Sequence, residues 1–160
     1  MTIMNAFSSQ AIKAYASIGV ETGVIDASPH QLILMLYDGA IASVTTAQLQ
    51  LKLKNVEARG HAASKAIAII RDGLAASLQQ SVGGEVAKNL SDLYQYMVHR
   101  LFQANLNSDG DGMEEVRLLL IQLKSAWQNM ENSSADWLDS AVHPTIATPP
   151  HRAAHFYGSV

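Results

Sequence analysis

Proline is confined to the margins of this chain. All four prolines fall at Pro29, Pro144, Pro149 and Pro150, so residues 30–143 contain none. Proline breaks helix interiors and central strands alike, and a stretch this long, rich in Ala, Leu, Gln and Lys, favours helix. Turn signals divide it: Gly83-Gly84 is one, and Asp109-Gly110-Asp111-Gly112 is another. Around Lys54-Asn55 the apolar pattern shifts phase, and Asn55 suits an N-cap. The pattern predicts helices over 29–53, 56–80, 85–107 and 113–131. The first carries a strong start signal in Ser28-Pro29-His30-Gln31, with a Ser cap, Pro at the first helical position and Gln three residues after the cap.

At 100° per residue each helix presents a core stripe. In the first it is Ile33, Leu36, Tyr37, Ala40, Val44, Ala47 and Leu51. In the second it is Val56, Ala63, Ile67, Ile70, Leu74 and Leu78. The third offers Val86, Leu90, Leu93, Tyr94, Met97 and Leu101, and the fourth Val116, Leu119, Leu120, Leu123, Trp127 and Met130. Four amphipathic helices joined by short loops predict an all-α, antiparallel up-down four-helix bundle over 28–131. Ile12, Tyr15 and Ile18 are spaced for one side of a short helix, so 1–27 is expected to pack on the bundle. Residues 132–160 hold three prolines and little periodic apolar content, and read as a flexible tail.

After the core is assigned, two helices retain apolar side chains on the opposite face. In the first, Met35, Ala42, Leu49 and Leu53 form a second line; in the second, Ala62, Ala66, Ile69, Gly73 and Ala76 do so with mostly small residues. A furrow floored by small residues and edged by Met and Leu would receive an apolar partner helix or strand. The same residues would equally serve to meet the N-terminal segment or a second copy of the chain. If the furrow lies elsewhere, Val98, Phe102 and Leu118 on the other helix pair are the next place for it.

Other chemistries find little support. The formal charge is −3 and the basic residues are scattered, which gives no footprint for a nucleic-acid backbone. Cysteine is absent, which excludes disulfides and thiolate metal sites and suits a reducing cytosol. The longest fully apolar runs are short, such as 32–37, and no secretory leader pattern opens the chain, so a soluble cytosolic protein is expected. The stretch from Asn107 to Gly112 resembles the start of a calcium loop, but its twelfth position is Leu118 rather than a bidentate Glu. His151 and His155 have no third ligand nearby, and Glu-x-x-His pairs, phosphate loops and nucleophile elbows are missing. The expectation is a binding protein with no cofactor and no metal, not an enzyme.

Several segments resemble one family. They are Ile12-Lys13-Ala14-Tyr15, Ala27-Ser28-Pro29-His30-Gln31-Leu32-Ile33 and Met35-Leu36-Tyr37-Asp38-Gly39-Ala40, followed by Ser64-Lys65-Ala66-Ile67 and Gly83-Gly84-Glu85-Val86-Ala87-Lys88-Asn89-Leu90. Leu93-Tyr94-Gln95-Tyr96-Met97, Ala104-Asn105-Leu106 and Ala126-Trp127 complete an ordered series over about 11–130. Together they look like a flagellar secretion chaperone of the FliS family. The resemblance implies a cytosolic bundle that holds the C-terminal segment of flagellin, prevents its premature polymerisation and helps present it to the type III export gate membrane protein, with other flagellar regulators as further partners. It also implies that the segment around Tyr15 occupies or borders the binding surface. Partner-binding residues are expected at Ile12, Tyr15, Met35, Leu49, Leu53, Ala62, Ala66, Ile69 and Gly73. The long 132–160 segment and the Gly-rich 109–112 turn depart from the family. A helical adaptor or anti-sigma-like regulator, or a structural homodimer using the same face, is the alternative.

Overall fold

A computed structural model describes residues 27–81 and 83–142. Helix α1 spans Pro29–Lys52 and α2 spans Val56–Ala68. A π-helical segment, Ile69–Ala75, carries α2 into the short α3, Ala76–Ser81; α4 is Gly84–Leu106 and α5 is Gly110–Val142. Among the described residues there is no strand.

The starts form as their sequences dictate. Ser28 Oγ accepts from the Gln31 amide at 3.2 Å and Gln31 Oε1 accepts from the Ser28 amide at 3.1 Å, a complete capping box. Asn55 Oδ1 caps α2 by accepting from Ala58 N at 3.1 Å. Asp109 Oδ1 accepts from Gly112 N at 3.0 Å, so the apparent calcium loop is a turn that caps α5. The two turns at this end of the bundle each use a left-handed residue, Lys54 at φ 58° and Ser108 at φ 55°.

The helices form a closed ring in which α1 lies beside α2 and α5, and α4 lies beside α5 and α2. Register pairs fix the directions. Gly39 faces Ile69 while Leu36 faces Gly73, Gln48 meets Glu114 while Asp38 meets Lys124, and Arg59 meets Asn105. Neighbours therefore run antiparallel, and the up-down four-helix bundle follows. The core holds Leu32, Leu36, Val44, Ile69, Ile70, Leu74, Met97, Leu101, Met113, Val116 and Leu120. Each such side chain contributes about 1.5–3 kcal/mol of burial. The hydroxyls of Tyr37 and Tyr94 are hydrogen-bonded to each other across the α1–α4 diagonal.

Three features differ from the periodic reading. Val56 and Val86, placed in core stripes, are exposed, because each lies in a helix's first turn, outside the reach of its neighbours. The helix expected to be uniform over 56–80 contains the π segment. The last helix does not stop at 131 but runs to Val142, because neither glycine nor proline interrupts 113–142. The boundary drawn at 132 thus falls within α5. By length and composition α1 would suit a membrane span, but its core-stripe side chains, Ile33 to Ala47, are those the bundle buries.

Candidate functional site

The seams between helices are of two kinds. Polar rungs tie α5 to its neighbours. Lys124 Nζ reaches Asp38 Oδ1 at 2.6 Å, and Gln48 Nε2 donates to Glu114 Oε2 at 2.7 Å. Arg100 donates to Glu115 at 2.8 Å and to Asp109 at 2.9 Å, and Tyr96 donates to Glu115. Gly112 makes room for the Arg100 guanidinium, since a Cβ there would lie 2.6 Å from Nη1. The α1–α2 seam is instead closed by small residues. Ala40, Ala63 and Ala66 are buried in it, and Gly73 admits Leu36 so closely that a Cβ would stand 2.8 Å from Leu36 Cδ2.

This arrangement corrects part of the expected furrow. Ala62, Ala66, Ile69 and Gly73 are buried, because the small-residue stripe of the second helix is the seam with α1. Ala66 and Ile69 have 0% of their surface exposed. Met35 is half-buried against the edge of the core. Leu49 and Leu53, at 52% and 64% exposure, do present apolar surface near the end of α1. Leu49 lines a groove with Thr45, Thr46, Lys52, Gly110 and Asp111. Beside it Arg117, then Gln48, hold the Glu114 carboxyl down to about 2, so Glu114 stays ionised in a groove that Lys52 and Arg117 also line. Above the α1–α2 seam a shallow furrow keeps Gly39, Ala42, Ala58 and the rim of Ala62 accessible, flanked by His61 and Lys65. Ile12 and Tyr15 lie outside the described residues.

A markedly apolar opening lies between α2 and α4. Ile67, Ala75, Tyr94, Val98 and Phe102 wall a cleft of about 330 Å³, with Arg71, Gln95 and His99 at its rim. Phe102 is 55% exposed, although it is one of the three phenylalanines in the chain. The π segment helps to shape this cleft. In a regular α-helix residues four apart drift by about 40° per step, whereas i→i+5 turns hold more residues per turn and bring Ile67, Arg71 and Ala75 onto one side. The same wide turns keep Ile69 with Gly73, and Ile70 with Leu74, inside. Val98 and Phe102 stood in the sequence as the second choice. The signal that favours them is their own four-residue step, continued by the exposed Leu106, outside the α4 core stripe.

A family model described as flagellar protein FliS matches residues 11–134. The chain belongs to that family. It is 51% identical over 124 residues to the flagellar secretion chaperone FliS of Salmonella typhimurium, covering 78% of this chain and 92% of that protein. The Escherichia coli chaperone of the same name is 42% identical over 122 residues, covering 76% and 90%. The Bacillus subtilis chaperone is 29% identical over 128 residues, covering 80% and 87%. As a flagellar secretion chaperone by family, the protein has the bundle and the first part of α5 within the match, while residues 135–160 lie beyond it. Among the described residues no group of three His, Asp or Glu side chains gathers to hold a metal. What a FliS bundle offers here is apolar seam surface framed by fixed charges.

Proposed function

We propose that this FliS-family chain is a cytosolic chaperone that binds the C-terminal segment of flagellin, prevents its premature polymerisation and assists its delivery to the export gate. The observation that carries the reading is the α2–α4 cleft, where Phe102 stands half out of the surface above Ile67, Tyr94 and Val98. A monomeric bundle has no packing reason to leave an aromatic ring there, whereas a partner segment would bury it.

Magnitudes argue that the segment uses more than this one cleft. Ordering a disordered chain costs about 2–5 kcal/mol or more, and association costs at least several more. At about 25 cal/mol per Å², offsetting some 15 kcal/mol takes roughly 600 Å² of buried apolar surface. One cleft of this size is too small, so the segment passes from it to the α1–α2 furrow or to the surface around Leu49. Calorimetry with the cognate flagellin's isolated C-terminal segment tests the reading. Binding of that segment, with a gain of helix by circular dichroism, is expected. A wild-type protein that does not bind it is not a flagellin chaperone.

A further inference from the structure

We infer that the α2–α4 cleft selects its occupant by charge as well as by apolar surface, with Arg71 as the specificity-determining residue. It admits a segment that carries an Asp or Glu on the flank of its apolar stripe. The inference rests on the flagellin reading above and names the chemistry of the part of that segment bound here.

The charge around the cleft is of one sign. Arg71 from the π segment and His99 from α4 stand on its opposite walls, and no carboxylate is among the described residues that line it. This happens in a chain with 14 acidic residues against 11 basic ones. The furrow on the other side of α2 follows the same rule, with Lys65 and His61 and no Asp or Glu in its lining. The groove at the end of α1 does not, since Lys52 and Arg117 are matched there by Asp111 and Glu114. Both openings that flank α2 are therefore short of negative charge, and an occupant can supply it.

The π segment puts Arg71 in place. Its wide turns set Arg71 on the cleft side with Ile67 and Ala75, while the neighbouring Asp72 stays outside the lining. Arg71 donates from Nε to Asp72 Oδ1 at 3.1 Å and from Nη2 to Oδ2 at 3.5 Å. The two side chains are 63% and 59% exposed, and a pair so exposed is weak. It steadies the guanidinium without consuming it, because the fork has further N–H donors to offer a second carboxylate. A helix laid with its apolar stripe on Ile67, Val98 and Phe102 turns one flank to Arg71 and the other to His99. A carboxylate on that flank is attracted, and a Lys or Arg in the same place is repelled by Arg71, so the rim discriminates between segments of equal apolar area.

The test is calorimetry of the full chain with the cognate flagellin's isolated C-terminal segment, at low and high salt. Arg71→Gln is expected to weaken binding about three- to tenfold at low salt, and the loss is expected to shrink at high salt. Asp72→Asn is expected to act the opposite way and tighten binding, since it removes the carboxylate that competes for Arg71. A merely structural role for the pair would move both variants in one direction. Lys88→Gln changes the net charge equally from an exposed position outside the cleft, and is expected to bind as wild type does. When each Asp or Glu of the segment is replaced in turn by its amide, one replacement is expected to leave Arg71→Gln without further effect. Wild-type affinity in Arg71→Gln overturns the inference, as does an equal loss in Asp72→Asn or in Lys88→Gln, or the absence of any coupled carboxylate. Each of these leaves the flagellin reading in place, whereas a segment that does not bind the wild-type chain overturns both.

Discussion

Gly73 lies flat against Leu36: a Cβ on Gly73 would stand 2.8 Å from Leu36 Cδ2 and 3.3 Å from Cδ1. Leu36 has 0% exposure and cannot swing into solvent to make room. The contact joins the π segment to α1 at the middle of the small-residue seam, and it sets how closely the two helices approach. Gly39, on the other side of the seam, has more space, with Ile69 Cδ1 at 3.4 Å from a Cβ built there.

These two glycines should therefore answer oppositely to alanine. Gly39→Ala gains helix propensity, up to about 1 kcal/mol, without a clash. Gly73→Ala gains less than it loses, because overpacking a dense core costs about 1–3 kcal/mol. Urea unfolding should place Gly39→Ala at or above wild type and Gly73→Ala about 1–2 kcal/mol below it. Equal midpoints for the two variants would show that Leu36 moves freely and that the seam is loosely packed.

The periodic pattern made much of this legible. The capping box at Ser28 and Gln31, the Asn55 cap and most positions of the four core stripes are local chemistry, and they appear where the residues place them, with Val56, Val86 and Met130 exposed instead. The family resemblance rested on an ordered series of short segments and is matched over 11–134. The π segment was not legible, since Ile69-Ile70 and Gly73-Leu74 fit an ordinary helix wheel until the facing Leu36 is known. For the same reason the stripe Ala62, Ala66, Ile69 and Gly73 read as a free furrow. A row of small residues signals close approach by something, and sequence does not say whether that is a partner or the next helix. Here it is α1.

Arg59 is a second feature that only the fold explains. It is buried, and donates from Nε to Asn105 Oδ1, from Nη2 to Asn105 O and from Nη1 to Ser108 Oγ, each at 3.0 Å. It thereby ties the start of α2 to the end of α4 and to the left-handed Ser108. Arg59→Met should lower stability by about 2–3 kcal/mol. Arg59→Lys should not restore it, since an ammonium lacks the planar fork that reaches three acceptors. Wild-type stability in the lysine variant would mean that charge, not geometry, is what this position supplies.

The pH profile should have two separable limbs. Burial raises the Tyr37 and Tyr94 hydroxyls above their ordinary value of 10.0, so their contribution is complete below that pH and is lost as pH rises past it. Glu114 is depressed from 4.5 to about 2 by Arg117 and then Gln48, so its contribution is present above 4.5 and is lost as pH falls to about 2. Replacing Tyr37 and Tyr94 together by Phe should flatten the alkaline limb of melting temperature and leave the acid limb alone. Glu114→Gln should do the reverse. Either single Tyr→Phe change should cost about 1–3 kcal/mol even at neutral pH, because it orphans the other buried hydroxyl. Double and single variants that melt alike would show the pair has no mutual dependence.

Binding variants must be chosen with burial in view. Ala66→Arg would abolish flagellin binding for the wrong reason, since Ala66 has 0% exposure and a guanidinium there would break the α1–α2 seam. Phe102→Asp and Leu49→Asp place a charge on half-exposed apolar positions, and each should shift the melting temperature little. For flagellin's C-terminal segment, Phe102→Asp is expected to weaken binding by about 2 kcal/mol or more, as loss of a partly desolvated aromatic anchor does. Leu49→Asp should weaken it as well, because the new carboxylate would have to shed its water when an apolar segment covers it. Calorimetry at low and high salt should find both defects at either salt, since each comes from desolvating a carboxylate rather than from long-range charge. If both variants bind as wild type does, the flagellin segment uses neither the α2–α4 cleft nor the end of α1, and the shallow furrow at Gly39, Ala42 and Ala58 is the next surface to test.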